Sequence, residues 1–213
     1  MTDAAIARRP ALVRRGLKLN YLTLGYNTVE AIVSVAAGLV AGSVALLGFG
    51  VDSGIEVTAS LAAQWRLRSD IDPVRREWVE GVTHRVIGGS FLVLAAYVAV
   101  DSVRTLWARE APEASRVGLV VLVLSVVVMP VLARAKRRVA RALQSRALEA
   151  DAAQTSLCAY LSVIALAGVG LNAALGWWWA DPLAALAMVP IVAREGMEGW
   201  RGQTECECRA PTP

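Results

Sequence analysis

The sequence predicts an all-α membrane protein with six transmembrane helices and both termini in the cytoplasm. Three observations lead to this fold class: 56% of the 213 residues are hydrophobic, the mean hydropathy is +0.49, and apolar runs recur along the whole chain. Only 19% of the residues are charged, whereas soluble domains have about 25%. Because backbone groups in lipid must find hydrogen-bond partners within their own segment, these apolar runs predict helices.

Six apolar segments are each close to the ~20 residues that a helix needs to cross ~30 Å of hydrocarbon. They cover residues 19–41, 43–65, 79–106, 117–135, 147–171 and 177–193. The first two meet at a turn so short, around Gly42, that it predicts a helical hairpin. We therefore divide the chain into a basic cytoplasmic arm (1–18), a six-helix transmembrane domain (19–200) and a cytoplasmic tail (201–213) whose composition predicts disorder.

The distribution of basic residues orients the predicted bundle. All but three of the 22 lie in the arm, in or beside the loops after the second and fourth segments, or near the C-terminus. The exceptions are Arg104, Arg109 and Arg116, and Lys136 is assigned to the loop after the fourth segment. By the positive-inside rule, both termini are cytoplasmic in a multi-pass protein of the cell membrane. This placement also argues against nucleic-acid binding as the reason for the pI of 9.3.

The three cysteines predict neither a zinc finger nor a disulfide framework. Cys158 lies inside an apolar run, whereas Cys206 and Cys208 lie in the tail. We expect no cleavable signal peptide, because a full-length apolar run follows the basic N-terminus.

Two pairs of polar side chains lie inside predicted spans, where an ionisable group costs about 2.5–3.5 kcal/mol and marks a functional pathway. Asp52 and Glu56 are four residues apart in the second segment, and Gln154 and Cys158 are four apart in the fifth, so each pair projects from one helix face. Counted from the cytoplasmic end, Glu56 and Gln154 lie roughly 10 Å deep, and Asp52 and Cys158 roughly 16 Å. If these helices face each other, the four side chains predict a site for a divalent cation, with Asp151 one turn nearer the cytoplasm.

Two polar residues of the first segment, Asn27 and Glu30, fall at depths of about 13 and 18 Å, and the depth of Glu30 suits a proton carrier. Structural explanations stay open beside the metal site. The carboxylates can line a water-filled cleft or pair with Asn27, Cys158 can be a small packing residue, and Gln154 can bond a neighbouring helix. Asp181 lies in the first turn of the sixth segment, where helix capping explains it.

Three stretches resemble signatures of the cation diffusion facilitator family. GSVALLGFGVDSGIEV (42–57) is similar to its second-helix signature, EADAAQTSLC (149–158) to its fifth-helix signature, and GWWWADPLAAL (176–186) to the start of its sixth helix. The likeness covers nearly all of residues 17–200.

The resemblance implies a dimeric exporter, not an enzyme, that exchanges cytosolic divalent cations for protons by alternating access. Asp52 and Glu56 match the family's second-helix ligand pair, and Gln154 and Cys158 stand in the places of its fifth-helix histidine and aspartate. Zn²⁺ is the expected substrate, with Mn²⁺, Fe²⁺, Co²⁺ and Cd²⁺ also compatible with these donors. No prosthetic group is expected.

The sequence departs from the family pattern at the fifth-helix pair and at Phe49, where members often have aspartate. We also expect this divergent member to lack the cytoplasmic domain that usually follows the sixth helix. These departures leave open a second hypothesis, a non-transporting membrane protein that senses metal or acts as a scaffold. A third, export of small organic cations, requires an aromatic-lined cavity, and only 6% of the chain is aromatic.

Overall fold

The computed structural model describes the backbone of residues 3–68, 73–143 and 146–201, and the side chains of residues 11–58, 60–61, 85–142 and 151–201. Every regular element in these ranges is an α-helix. The helices are α1 (Asp3–Ala41), α2 (Val44–Arg68), α3 (Pro73–Ala108), α4 (Arg116–Leu143), α5 (Arg146–Leu175) and α6 (Ala180–Trp200). Each predicted segment is therefore a helix, and α1 continues back through the arm. Cys206 and Cys208 lie outside the described residues.

The prediction that Lys136 lies in a loop is wrong. Helix α4 continues to Leu143, so Lys136 is a helical residue and the connection to α5 is very short. The high density of arginine beyond residue 133 suggested a loop, yet arginine and lysine are good helix formers and continue the helix without strain.

Helix α2 is the centre of the bundle, because it contacts α1, α3, α5 and α6. Its first turns bury Ala45, Leu46 and Phe49 completely. The remaining contacts pair α1 with α4, α3 with α6, and α5 with both α4 and α6. Buried residues of helices α2 to α6 form one apolar cluster around α2. It includes Phe91, Leu122, Leu161 and Met188.

The α1–α2 hairpin depends on glycine at two kinds of position. Gly42 forms the turn with φ of +66°, a left-handed conformation that glycine adopts without steric cost. Gly50 allows the two helices to approach closely, because a Cβ atom there would lie 2.7 Å from the backbone nitrogen of Val35. Close approach at small residues is how transmembrane helices gain packing energy where no hydrophobic effect separates helix from lipid.

The outer surface of the bundle is apolar, and polar side chains are buried beside the apolar cluster. Helix α1 buries Thr23, Asn27, Glu30 and Ser34, which recur at helical spacing, while Val29 and Ile32 are 63% and 65% exposed. Four helices of the described chain are long and apolar enough to cross a membrane: Ala11–Ala41, Arg85–Ala108, Arg116–Ala142 and Asp151–Leu175. The apolar exterior and polar interior are the arrangement that a lipid environment favours.

We expect Gly50→Ala to lower the free energy of unfolding by about 1–3 kcal/mol, because the added methyl group forces α1 and α2 apart. The matched control is Gly25→Ala in α1, where a Cβ atom meets nothing within 4 Å. Thermal unfolding in detergent, followed by circular dichroism, measures both. Equal melting temperatures for the two variants would contradict the close contact.

Candidate cation site

Helix α2 turns its acidic face into the bundle. Asp52 and Glu56 are 2% and 1% exposed, and Ser53 between them is fully buried. The predicted placement of both carboxylates on one inward face is therefore confirmed. They are close enough to repel each other, and Glu30 of α1 and Glu195 of α6 add to the negative charge around Asp52. Glu195 was not among the predicted residues.

Glu30 connects α1 to α2 and α5. Its Oε2 atom accepts a hydrogen bond of 2.8 Å from the hydroxyl of Ser53 and one of 3.8 Å from the thiol of Cys158. The Ser53 oxygen and the Cys158 sulfur are 3.9 Å apart. The buried position of Cys158 near the carboxylates agrees with the sequence prediction, but its thiol bonds to Glu30 on α1.

Helix α5 reaches Glu56 through a residue that the sequence analysis missed. The hydroxyl of Thr155, which is fully buried, lies 3.1 Å from Oε1 of Glu56 and 3.0 Å from the backbone carbonyl oxygen of Asp151, so these two acceptors share its single proton. Its neighbour Gln154, the predicted ligand, is half-buried. Thr155 is three residues from Cys158, and Gln154 is four residues from it. Both residues can therefore lie on the same helix face as the cysteine, and spacing alone does not decide which of them reaches Glu56.

A lysine completes this side of the site. The ammonium of Lys136 lies 2.8 Å from Oδ2 of Asp151 and donates a hydrogen bond of 3.0 Å to the hydroxyl of Thr155. Asp151, predicted as a metal ligand, is thus an ion-pair partner of Lys136. A sequence signal for Lys136 existed: it falls at helical spacing from Leu132, Ala133, Val139 and Ala140, all of which are buried.

Several buried oxygen and nitrogen atoms have no hydrogen-bond partner among the described residues. They include Oε1 of Glu30, Oδ1 of Asp52, Oε2 of Glu56 and both side-chain atoms of Asn27. Buried polar groups are nearly always satisfied, so this concentration marks a place that receives water or a ligand. Most of these unpaired atoms therefore belong to residues of α1 and α2.

The described residues contain no group of three or more His, Cys, Asp or Glu side chains arranged to hold a metal ion. The predicted shell of Asp52, Glu56, Gln154 and Cys158 contains an amide as well, and it stays a prediction. The structure brings together Asp52, Glu56 and Cys158 through their shared interaction with Glu30, and it places Gln154 at the edge of this group.

At the other end of α2, Asp181 connects this helix to α6. Its Oδ1 atom accepts a hydrogen bond of 2.5 Å from the Ser43 hydroxyl, and Oδ2 accepts one of 3.0 Å from the backbone N–H of Val44. The prediction that Asp181 caps its own helix is wrong, because Trp179 is the N-cap residue of α6 and this end has no side-chain cap. The carboxylate instead caps α2 across the bundle, where the N-terminal dipole favours negative charge.

We expect Asp181→Asn to lower the free energy of unfolding by about 1–3 kcal/mol, because an amide nitrogen cannot accept the bonds that the carboxylate accepts. Thermal unfolding in detergent measures the loss. Glu110→Gln, at an exposed position, is the control and should match the unmodified protein. An unchanged melting temperature for Asp181→Asn would show that α2 does not depend on this cap.

Comparison with known proteins bears on what this cluster does. The chain matches the cation efflux transmembrane domain family over residues 21–199. It is also 24% identical, over 173 residues, to the uncharacterized transporter sll1263 of Synechocystis sp.. That match covers 78% of this chain and 56% of the relative, so the chain spans little more than half the length of the protein it resembles.

Proposed function

Because the chain belongs to the cation efflux family, we propose that it exports divalent metal cations, Zn²⁺ or related ions, from the cytosol by proton antiport with alternating access. Membership makes it a multi-pass membrane protein of a cation transporter family. The proposal also includes the identity of the substrate and the coupling of its transport to protons. It further includes cytoplasmic termini, a location in the cell membrane and a homodimeric assembly.

One observation carries the proposal: three carboxylates from helices α1 and α2 lie buried near one another, and several of their oxygen atoms have no hydrogen-bond partner among the described residues. Glu30, Asp52 and Glu56 interact with one another inside a bundle whose outer surface is apolar. Carboxylates held this close repel each other, and either a bound cation or protons relieve the repulsion. A site that accepts a divalent cation or protons, but not both together, is the requirement for antiport.

The unpaired atoms support the role of Asp52 and Glu56 as ligands. Oδ1 of Asp52 and Oε2 of Glu56 are both buried and unbonded, as are the side-chain atoms of Asn27. Oxygen atoms at this density suit divalent cations, and the thiol of Cys158 adds one soft donor. Gln154 and Glu30 complete the proposed set, Gln154 as a ligand and Glu30 as the proton carrier.

We expect Asp52→Asn and Glu56→Gln each to reduce Zn²⁺ uptake into proteoliposomes to the level of protein-free vesicles, because the ion loses a charged ligand. Vesicles loaded with acidic buffer and a pH-sensitive dye also report the counterflow of protons as a rise in lumenal pH. The exposed Glu110→Gln serves as control and keeps full uptake.

Full uptake by an Asp52→Asn, Glu56→Gln double variant would overturn the site. Uptake without any change in lumenal pH would show that transport is not coupled to protons, and it would leave the cation site itself standing. Binding of Zn²⁺ to the unmodified protein without uptake would instead support the sensing or scaffold hypothesis.

We expect Cys158→Ala to reduce uptake of Cd²⁺ and Zn²⁺ more than uptake of Mn²⁺, because thiolate ligands favour softer ions and oxygen ligands favour harder ones. Competition between the three ions in proteoliposomes measures the ratio. Ala159→Ser, a neighbouring half-buried position on α5, controls for a small local change. An equal loss for all three ions would make Cys158 a packing residue.

A further inference from the structure

Lys136 is a basic residue whose side chain is buried inside the bundle. It is 0% exposed, and it is the only buried lysine or arginine among the residues whose burial the structure describes. It lies on the inward face of α4, between Leu132 and Val139, whereas Arg134, Arg137 and Arg138 point away from the core. An ammonium group taken out of water is costly unless it is paired, so its partners define its role.

The partners of Lys136 connect it to the carboxylate cluster. Its ammonium is 2.8 Å from Oδ2 of Asp151 and 3.0 Å from the hydroxyl of Thr155. That hydroxyl lies 3.1 Å from Oε1 of Glu56 and 3.0 Å from the backbone carbonyl oxygen of Asp151, and it shares its one proton between them. A single hydroxyl group therefore separates the positive charge from one of the two proposed α2 ligands.

The charge around this chain of bonds is otherwise negative. Glu30, Asp52 and Glu56 interact with one another, and Asp151 also adds negative charge near Glu56. Lys136 is the cation that attracts Glu56. A divalent ion at Glu56 and an ammonium one hydroxyl away would repel each other strongly, because the surrounding protein screens charge far less than water does.

We propose that the Lys136 ammonium is a built-in cation that occupies the Asp151–Thr155 side of the cluster when no metal is bound, and that a divalent ion binds Glu56 by displacing it. This inference rests on the proposed function. It assigns Asp151 as the partner of Lys136 instead of a metal ligand. When the ion leaves, the ammonium returns, so the emptied site keeps part of its charge compensation.

A tethered single charge also gives the site a preference for ion valence. A monovalent ion replaces one positive charge by another and gains little from the exchange, whereas a divalent ion brings twice the charge to the same carboxylates. Lys136 therefore acts as a specificity-determining residue, and it does so by competition, without contacting the substrate.

The unmodified protein provides the first test, because the chain has two lysines, Lys136 and the exposed Lys18. A short pulse of acetic anhydride, followed by peptide mass spectrometry, gives the ratio of acetylation at Lys136 to that at Lys18. We expect saturating Zn²⁺ or Mn²⁺ to raise this ratio severalfold, since displacement frees the amine from its partners. Saturating K⁺ should leave it unchanged.

Equilibrium dialysis of the same samples separates the two ways to fail. If neither Zn²⁺ nor Mn²⁺ binds, the proposed function is wrong and the inference with it. If either ion binds while the ratio stays constant or falls, the inference is wrong and the proposed function stands. The exposed Lys18 corrects for any direct effect of the metal on the reagent.

Variants give an independent measurement of the competition. We expect Lys136→Gln to lower the dissociation constant for Zn²⁺ by about tenfold or more, and Lys136→Arg, which keeps the charge, to stay near the original value. The Lys136→Gln, Asp151→Asn double variant removes both members of the ion pair, which protects the fold and leaves the local net charge unchanged.

The double variant decides between competition and general electrostatics. We expect it to bind Zn²⁺ more tightly than the unmodified protein, because the competing ammonium is gone. If the double variant binds Zn²⁺ only as tightly as the unmodified protein, the change in local net charge alone explains the tighter binding by Lys136→Gln, and the inference is wrong. Weaker binding of Zn²⁺ by Lys136→Gln would also overturn the inference.

Discussion

Carboxyl groups buried with few polar partners are the constraint on which this structure depends. Glu30, Asp52 and Glu56 lie inside a helix bundle with an apolar exterior, where an uncompensated carboxylate is costly. Ser53 and Thr155 donate hydrogen bonds to two of these carboxylates, and Lys136 contributes charge through Thr155. In the proposed function, the oxygen atoms that stay unpaired are the ones that contact the substrate ion.

Helix α2 combines this polar region with a close backbone contact to α1. Its N-terminus is held by Asp181 of α6, and its close contact with α1 at Gly50 comes just before Asp52. The carboxylates therefore begin directly after the rigid part of the helix, so their positions are fixed relative to α1 and α6. The contacts made by Thr155 and Lys136 come from α5 and α4, which are packed against each other.

The sequence predicted the all-helical fold and the inward face of α2, because burial in a helical bundle follows the 3.6-residue period directly. Asn27, Glu30 and Cys158 are buried for the same reason. Thr155 and Lys136 were missed for a different one. Adjacent residues on α5 differ by about 100° in direction, and only packing against α2 decides which of Gln154 and Thr155 reaches Glu56. A cluster of arginines suggested a loop for Lys136, although the apolar residues at helical spacing around it indicated a buried face.

The pairing of Lys136 reduces the number of oxygen atoms on the acidic residues of α5 and α2 that are left to bind an ion. Asp151 is neutralised by the ammonium, and Oε1 of Glu56 already accepts the Thr155 hydroxyl, so one oxygen of Glu56 is left for a ligand. Oδ1 of Asp52, Oε1 of Glu30 and both side-chain atoms of Asn27 are unpaired as well, and these residues lie on α1 and α2. Cys158 is then the one soft donor near a group of oxygen atoms, and its bond to Glu30 has to break before the sulfur can contact a metal. In the proposed function, the choice of ion therefore depends on α1 as much as on the α2–α5 pair, because Glu30 accepts the hydrogen bond of the thiol that favours a soft ion over a hard one.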